Sequence, residues 1–414
     1  MSSTKDEPTA TELRLASARR RVRAFVDQIT ELEASDFPHK DGLAALGEIR
    51  GELEYYLNNF LVGLPPTLSD QVVDGICAEI SFTVSKYTAI LGFILRSTNV
   101  RNAFEVQFPL KRLVAQVISP DAKLIMSSEW DFVPFTYPMT LDLLPDFVLV
   151  GAPAPESGNV LLFPLAGHEI GHSAWRKHDL KSVLQTVVSR AVARAIDADP
   201  EATNRVLARV AQHGEGLADL QNGALATSLK QLEEIFCDLF GLYVFGASYA
   251  YAYEYFLAPG GGSRSLFYPS SVDRVGYLAT AAKMIGVNLE PELFGRWRQS
   301  TARAGVDPDA LAFADTATAE VFPDLLKRAA ELFGAGLLAL PREDVIERVV
   351  AAFTRRVPYD DGATFPEIVT AGWRYLRSRG GLSSESNRPE YDMLNELMLK
   401  SIEVAEFRAR LADA

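Results

Sequence analysis

The sequence is poor in cysteine and in basic charge, and each shortage excludes a class of protein. Two cysteines in 414 residues are too few for the disulfide framework of a small secreted domain. Lysine and arginine number 41 against 54 acidic residues, which gives a net charge of −13. Because phosphate binding needs a basic surface, this charge argues against nucleic acid as the main partner. The local arginine run at 14–23 has acidic neighbours and indicates a solvated face.

Long hydrophobic runs are also missing. The first eight residues lack the apolar core of a signal peptide, and no stretch of 18 residues is free of charge. The most apolar run, from Tyr87 to Leu95, is too short to span a bilayer and is flanked by Lys86 and Arg96. We therefore expect a cytoplasmic protein without a membrane partner, in which this run forms a buried helix.

Histidine is scarce as well, yet two of the five histidines stand four residues apart in the segment His168-Glu169-Ile170-Gly171-His172. On a helix, positions four apart lie one above the other, so both imidazoles can reach one zinc ion. Glu169 projects beside them and can take a proton from water, which is the chemistry of metal-assisted hydrolysis. The alternative is two ordinary histidines on a helix.

The residues around this motif predict how its helix begins and packs. Pro164 suits a first helical turn, and the apolar run 160–163 before it indicates burial. Gly167 and Gly171 would each weaken an isolated helix by roughly 1 kcal/mol relative to alanine. That cost predicts a close approach by another backbone or by a metal ligand.

Later in the chain, two acidic residues occur within a helical pattern. Apolar residues at helical spacing form a stripe that indicates core: Leu232, Ile235, Phe236, Leu239 and Tyr243. Glu234 and Asp238 fall off this stripe together, and two like charges beside an apolar surface are unfavourable unless a cation or a donor lies between them. If a metal ion is that cation, Glu234 is a candidate ligand. Glu233, about 100° away around the helix, is the rival candidate. A solvated acidic face is the alternative.

Together, H-E-I-G-H and the later E-I-F-C-D resemble the two motifs of gluzincin zinc metallopeptidases, H-E-x-x-H and E-x-x-x-D. The resemblance covers roughly residues 140–280. It implies that one zinc ion is bound by His168, His172 and Glu234. It further implies that Glu169 is the general base and that Asp238 orients His168. The interval from His172 to Glu234 is long for this family, and the helical segment 180–225 can absorb it.

A later segment, Phe267-Tyr268-Pro269 followed by Arg274, resembles one that some gluzincins place after the ligand helix. There a His-Pro pair leads to an arginine that reaches the active site, and Tyr268 stands where that histidine would be. The resemblance implies a catalytic role for Tyr268, as a phenol donor to the oxyanion. It implies that Arg274 anchors a carboxylate near the metal.

The pattern along the chain predicts a mainly α-helical α+β protein. Short β-rich segments occur at 123–126, 132–137 and 147–150, and helical patterns fill most of the remainder. We expect a zincin-like core at 121–287, with helical additions at 1–120 and 288–414. The strand at 146–151 has two interpretations: an edge strand that aligns an extended peptide by main-chain hydrogen bonds, or an interior strand.

These features predict a zinc-dependent peptidase that acts on a protein or peptide substrate with one Zn²⁺ per chain. Two alternatives remain. The metal site could serve structure or sensing in a helical interaction module, or it could hydrolyse a substrate that is not a peptide. Cys237 lies inside the second motif, where we interpret it as a buried thiol rather than as a ligand.

Overall fold

A computed structural model describes residues 9–62, 64, 68–97, 104–129, 135–136, 143–153, 156, 158–257, 263–290, 293–294, 301–302, 307–334, 338–379 and 388–412. Helices dominate and strands are few, which confirms the predicted mainly helical α+β class. The chain forms two compact units, Met1–Asn102 with Asp121–Pro155 and Ala103–Pro120 with Glu156–Ala414. The division into regions 1–120, 121–287 and 288–414 stays a prediction.

The first unit is built on three helices, α1 (Ala10–Glu33), α2 (Lys40–Tyr56) and α3 (Asp70–Arg96). A capping box between Thr9 and Glu12 begins α1, and a π-helical turn, Leu57–Leu61, follows α2. The core of this unit is aliphatic and aromatic, and it includes Ile29, Leu46, Ile49, Phe93 and Phe147.

Strands β1 (Lys123–Glu129), β2 (Phe135–Thr136) and β3 (Phe147–Pro153) complete the first unit. β3 lies in the middle of the sheet, parallel to β1 along its whole length and antiparallel to β2 at its end. The interpretation of β3 as an edge strand for substrate is therefore wrong. The periodicity of a strand reports which side chains are buried, whereas strand order depends on contacts distant in sequence.

Within the part of the chain that the structure describes, α3 is long and apolar enough to cross a membrane by length and composition. A core helix of a soluble protein passes the same test. In the first unit, α3 packs against α1, α2 and β1, and Tyr87, Ile90, Phe93 and Ile94 are buried in that packing. The run from Tyr87 to Leu95 is thus helical and buried in part, since Thr88, Ala89 and Leu95 are exposed.

The second unit is almost entirely helical. Its helices are α4 (Phe104–Val117), α5 (Leu165–Lys177), α6 (Leu180–Ala198), α7 (Pro200–Val210), α8 (Leu217–Phe245), α9 (Ala247–Leu257), α10 (Ser271–Ile285), α11 (Pro308–Phe333), α12 (Glu343–Thr354), α13 (Phe365–Ser378) and α14 (Arg388–Ala412). A short parallel pair, β4 (Ser263–Arg264) with β5 (Thr301–Ala302), is its only sheet among the described residues. Asp199 separates α6 from α7, and a loop at 214–216 precedes α8.

Helix α8 lies at the centre of the second unit. It packs against α5, α6, α10 and α11 and is buried on all sides from Gln231 to Phe245. A helix buried all round needs apolar residues on every face, or polar ones that are paired. The three acidic residues of this buried stretch, Glu233, Glu234 and Asp238, are each at most 6% exposed. The local sequence resembles an amphipathic helix, and only the surrounding helices bury its acidic side.

Candidate metal centre

Glycines bring α5 and α8 into contact. A Cβ atom on Gly167 would lie 3.0 Å from the Gly241 Cα, and one on Gly171 would lie 2.9 Å from the Cys237 Cα. The predicted close approach at these glycines is therefore made by the backbone of α8. Short spacing between the two helices lets the histidines of one reach the carboxylates of the other.

This contact predicts opposite effects for two glycine-to-alanine changes within helices. A Cβ atom on Gly223 in α8 would meet none of the described residues packed around that helix within 4 Å. Gly223→Ala should therefore stabilise the fold by about 0.5–1 kcal/mol through helix propensity. Gly171→Ala should destabilise it by about 1–3 kcal/mol because the new methyl group meets backbone. Urea unfolding of both variants measures the difference, and a stabilised Gly171→Ala would contradict the tight contact.

The two imidazoles and Glu234 face one another. The Nε2 atom of His168 lies 3.2 Å from Glu234 Oε2, and that of His172 lies 3.8 Å from Glu234 Oε1. The rings stand nearly perpendicular, with centroids 5.1 Å apart. The Nδ1 atoms point elsewhere and contact other carboxylates. Two ring nitrogens and one carboxylate thus converge from two helices, which is the donor set of a zinc site with an open position.

His168 is oriented by Asp238, whose Oδ1 lies 2.9 Å from the ring Nδ1. Arg274 donates to the same carboxylate through Nε at 2.5 Å and Nη2 at 2.9 Å. Burial works against ionisation of Asp238, but the charge of Arg274 and the bond with His168 hold the pKa of that carboxyl well below its usual range. Arg274 reaches the site from the first turn of α10, where the Ser270 side chain caps the helix.

His172 has a carboxylate of its own. Glu233 Oε1 lies 3.0 Å from its Nδ1, and Lys230 donates to Glu233 Oε2 at 2.8 Å. Burial raises the pKa of Glu233, but the contacts with His172 and Lys230 lower it more, to about 2. The structure therefore places Glu233 behind the imidazole, on the side away from Glu234. The sequence offered Glu233 only as a rival ligand, because helical spacing does not show which ring nitrogen it meets.

Glu169 is buried, 6% exposed, and follows His168 directly on α5. Burial raises its pKa above the ordinary value, although the charges of the two histidines act in the opposite direction. A buried carboxylate is costly unless it has a partner or a function. A raised pKa suits a general base, because the optimum for proton transfer lies near the working pH.

Tyr268 borders the site from the segment before α10. Its ring lies 5.4 Å from the Arg274 guanidinium carbon, and the residue is 44% exposed. The charge of Glu234, together with burial, raises the pKa of Tyr268 to about 12. The phenol therefore keeps its proton at neutral pH and can donate a hydrogen bond.

Tyr249, which sequence reasoning did not single out, belongs to the same network. It is fully buried, and its hydroxyl donates to Asp238 Oδ1 at 2.6 Å. It lies in the tyrosine-rich helix α9.

Cys237 lies beside the two histidines. Its Sγ and one nitrogen from each of His168 and His172 lie within 4.8 Å of one another. The thiol is fully buried against Gly171, and burial raises its pKa well above the ordinary value. Among the described residues, His168, His172 and Cys237 thus form a group that could hold a metal ion, whereas Glu234 faces the two Nε2 atoms through different oxygens. Glu234 has the stronger position, because it is ionised and faces both Nε2 atoms, whereas the thiol would first have to lose its proton.

Acidic side chains outnumber lysine and arginine side chains around the histidines. Four carboxylates converge here, and two basic side chains face them: Glu169, Glu233, Glu234 and Asp238 with Lys230 and Arg274. Burial disfavours a charged His168, but the contacts with Asp238 and Glu234 prevail and raise its pKa to about 10. Positive charge is thus stabilised at the His168 ring.

Comparisons of this chain with protein-family models, with curated proteins and with solved structures find no match.

Proposed function

We propose that this protein is a zinc-dependent metallopeptidase of the gluzincin type, with a zincin-like arrangement of α5 and α8. The observation that carries the proposal is the orphaned Oε2 atom of Glu234. This atom is buried and makes no hydrogen bond within the described part of the chain. It lies 3.2 Å from His168 Nε2 and 3.6 Å from Arg274 Nη2. The contact with His168 lowers the pKa of Glu234 and raises that of His168, so without metal the imidazole holds a proton at this point. A zinc ion would replace that proton and complete the surroundings of the buried carboxylate.

The residues present fit a zinc ion. His168, His172 and Glu234 would hold it through two Nε2 atoms and a carboxylate, the composition of a catalytic zinc site with three protein ligands. Asp238 and Glu233 accept from the remaining ring nitrogens, which fixes each imidazole in the tautomer that leaves Nε2 free. When bound, zinc supplies Lewis acidity, which lowers the pKa of water toward about 7 and polarises a carbonyl group.

The protein's own groups carry out the proton transfers and the positioning. Glu169 removes a proton from the attacking water and returns it to the leaving nitrogen of the peptide. Tyr268, a protonated phenol at the rim of the site, donates a hydrogen bond to the developing oxyanion. Arg274 holds Asp238 through two hydrogen bonds, and Asp238 holds His168. These groups support metal-assisted attack by water, and the resemblance to gluzincins implies that the substrate is a peptide.

One observation favours a second candidate function. If Cys237 joined His168, His172 and Glu234, the site would have four protein ligands and no open position, as in structural zinc sites. The protein would then use its helical surfaces for interaction, and Glu169 would have no catalytic work.

Cys237→Ala separates the two candidates. With an open site, the variant should keep its zinc affinity within about threefold, because a buried thiol outside the ligand set adds only packing. Cobalt-substituted wild type should show no sulfur-to-cobalt charge-transfer band. Loss of metal in Cys237→Ala, together with such a band in the wild type, would establish the closed site and overturn the peptidase proposal.

A peptide-library digest tests the activity itself. The purified protein should contain one zinc per chain by elemental analysis and should cleave library members, and a zinc chelator should abolish cleavage. Zinc-dependent hydrolysis of esters or other amides without peptide cleavage would keep the base and metal but replace the substrate class. A protein that neither contains zinc nor takes it up would contradict the proposal.

A further inference from the structure

Tyr249, packed over Gly241, contacts Asp238, the carboxylate that in turn contacts His168. Asp238 Oδ1 receives three contacts: the His168 ring Nδ1 at 2.9 Å, the Tyr249 hydroxyl at 2.6 Å and Arg274 Nη2 at 2.9 Å. The two-pronged contact of Arg274 fixes the plane of the carboxylate. The Tyr249 hydroxyl, which belongs to α9, donates to the same Asp238 oxygen that contacts the His168 ring.

Gly241 makes room for this tyrosine. A Cβ atom at residue 241 would lie 2.3 Å from Cε2 and 2.4 Å from Cδ2 of the Tyr249 ring. Residue 241 is three positions after Asp238, so both lie on one face of α8. A ring placed over Gly241 therefore has its hydroxyl at the level of Asp238.

The chain reversal between the two helices brings the tyrosine to this place. Gly246 ends α8 with a φ of 56°, a conformation that favours glycine, and α9 begins directly after it. The Tyr249 backbone N–H donates to the Gly246 carbonyl at 3.2 Å. The tight turn folds α9 back against α8, so that a residue only eleven positions after Asp238 contacts it.

We propose that Tyr249, seated over Gly241, is a positioning residue that fixes Asp238 and through it the orientation of the His168 ring. The inference rests on the proposed zinc site, since the purpose of that orientation is to present Nε2 to the metal. It adds to that site a support made by α9, beyond the residues that the two sequence motifs identify.

The test replaces the hydroxyl and keeps the ring. Tyr249→Phe should lower zinc affinity by roughly tenfold, as loss of a partner behind a metal-ligating histidine does. In nuclear magnetic resonance of the metal-free protein with ¹⁵N-labelled histidine, the ring signals of His168 should shift and those of His172 should not. Tyr251→Phe is the matched control, because Tyr251 lies on the same helix and its hydroxyl contacts Glu290 at 3.3 Å instead.

Gly241→Ala provides the second variant. It keeps the tyrosine hydroxyl, but the added methyl group occupies the space of the Tyr249 ring. It should therefore shift the same His168 signals and weaken zinc binding at least as much as Tyr249→Phe does. Unchanged His168 signals and unchanged zinc affinity in Tyr249→Phe would overturn the proposal, even if the variant were less stable. A protein that binds no zinc but shows the His168 shifts would retain the support and refute only the zinc function.

Discussion

Replacing Glu169 with glutamine is expected to leave zinc bound and to reduce peptide turnover by about a thousandfold, within the range that general-base catalysis contributes. Glutamine has the size of glutamate but cannot take a proton from water at neutral pH. Glu169 is buried, and a side chain of the same size keeps the packing around it. Initial rates on a cleaved library peptide, together with the zinc content of the variant, measure the effect.

Glu367→Gln is the matched control for a buried glutamate. Glu367 is 1% exposed, and it accepts hydrogen bonds from Arg342 and from the Thr364 backbone at the start of α13. Loss of the Glu367 charge should lower the stability of the fold and leave turnover at 25 °C unchanged. Full turnover in Glu169→Gln would eliminate the proposed base, and loss of zinc from it would mean that Glu169 helps to hold the ion.

The neighbouring glutamates of α8 should differ strongly in their effect on zinc binding. Glu234→Gln is expected to lower zinc affinity by about a thousandfold, because the roughly 10–16 kcal/mol of a structural zinc site is shared among its ligands. Glu233→Gln should lower it by only about 10–100-fold, as expected for a partner behind a ligand imidazole. Each variant is the control for the other, because both changes are isosteric and affect adjacent residues of one buried helix.

Competition with a chromogenic chelator measures both affinities. Circular dichroism of the metal-free variants checks that each remains folded. The opposite ranking, with the larger loss in Glu233→Gln, would make Glu233 the ligand and would require the His172 ring to turn its Nδ1 toward the metal. Equal small losses would leave Cys237 as the third donor.

Much of the second unit follows from local sequence. The helix that bears both histidines and the helix that bears Glu234 are both predicted correctly, because helical periodicity, proline and glycine act over a few neighbouring residues. The cost of Gly167 and Gly171 correctly predicted a close approach. The identity of the approaching group, the backbone of α8, depended on residues about 70 positions away.

Other features could not be predicted from a local pattern. The interior position of β3 depends on strand pairing with β1 and β2. The tyrosines of α9 look alike in sequence, yet Tyr249 contacts Asp238 and Tyr251 contacts Glu290. Which tyrosine reaches the site depends on the turn at Gly246 and on the space above Gly241.

By itself, the sequence determined that two histidines share one face of a helix and that an acidic pair occupies a second helix, because spacing along a helix fixes these relations. Only the tertiary structure decided which ring nitrogen meets which carboxylate. It placed Glu234 before the Nε2 atoms and Asp238 and Glu233 behind the rings. The reason is physical: the orientation of an imidazole depends on packing and hydrogen bonds from separate helices, which the spacing of residues within one helix does not contain.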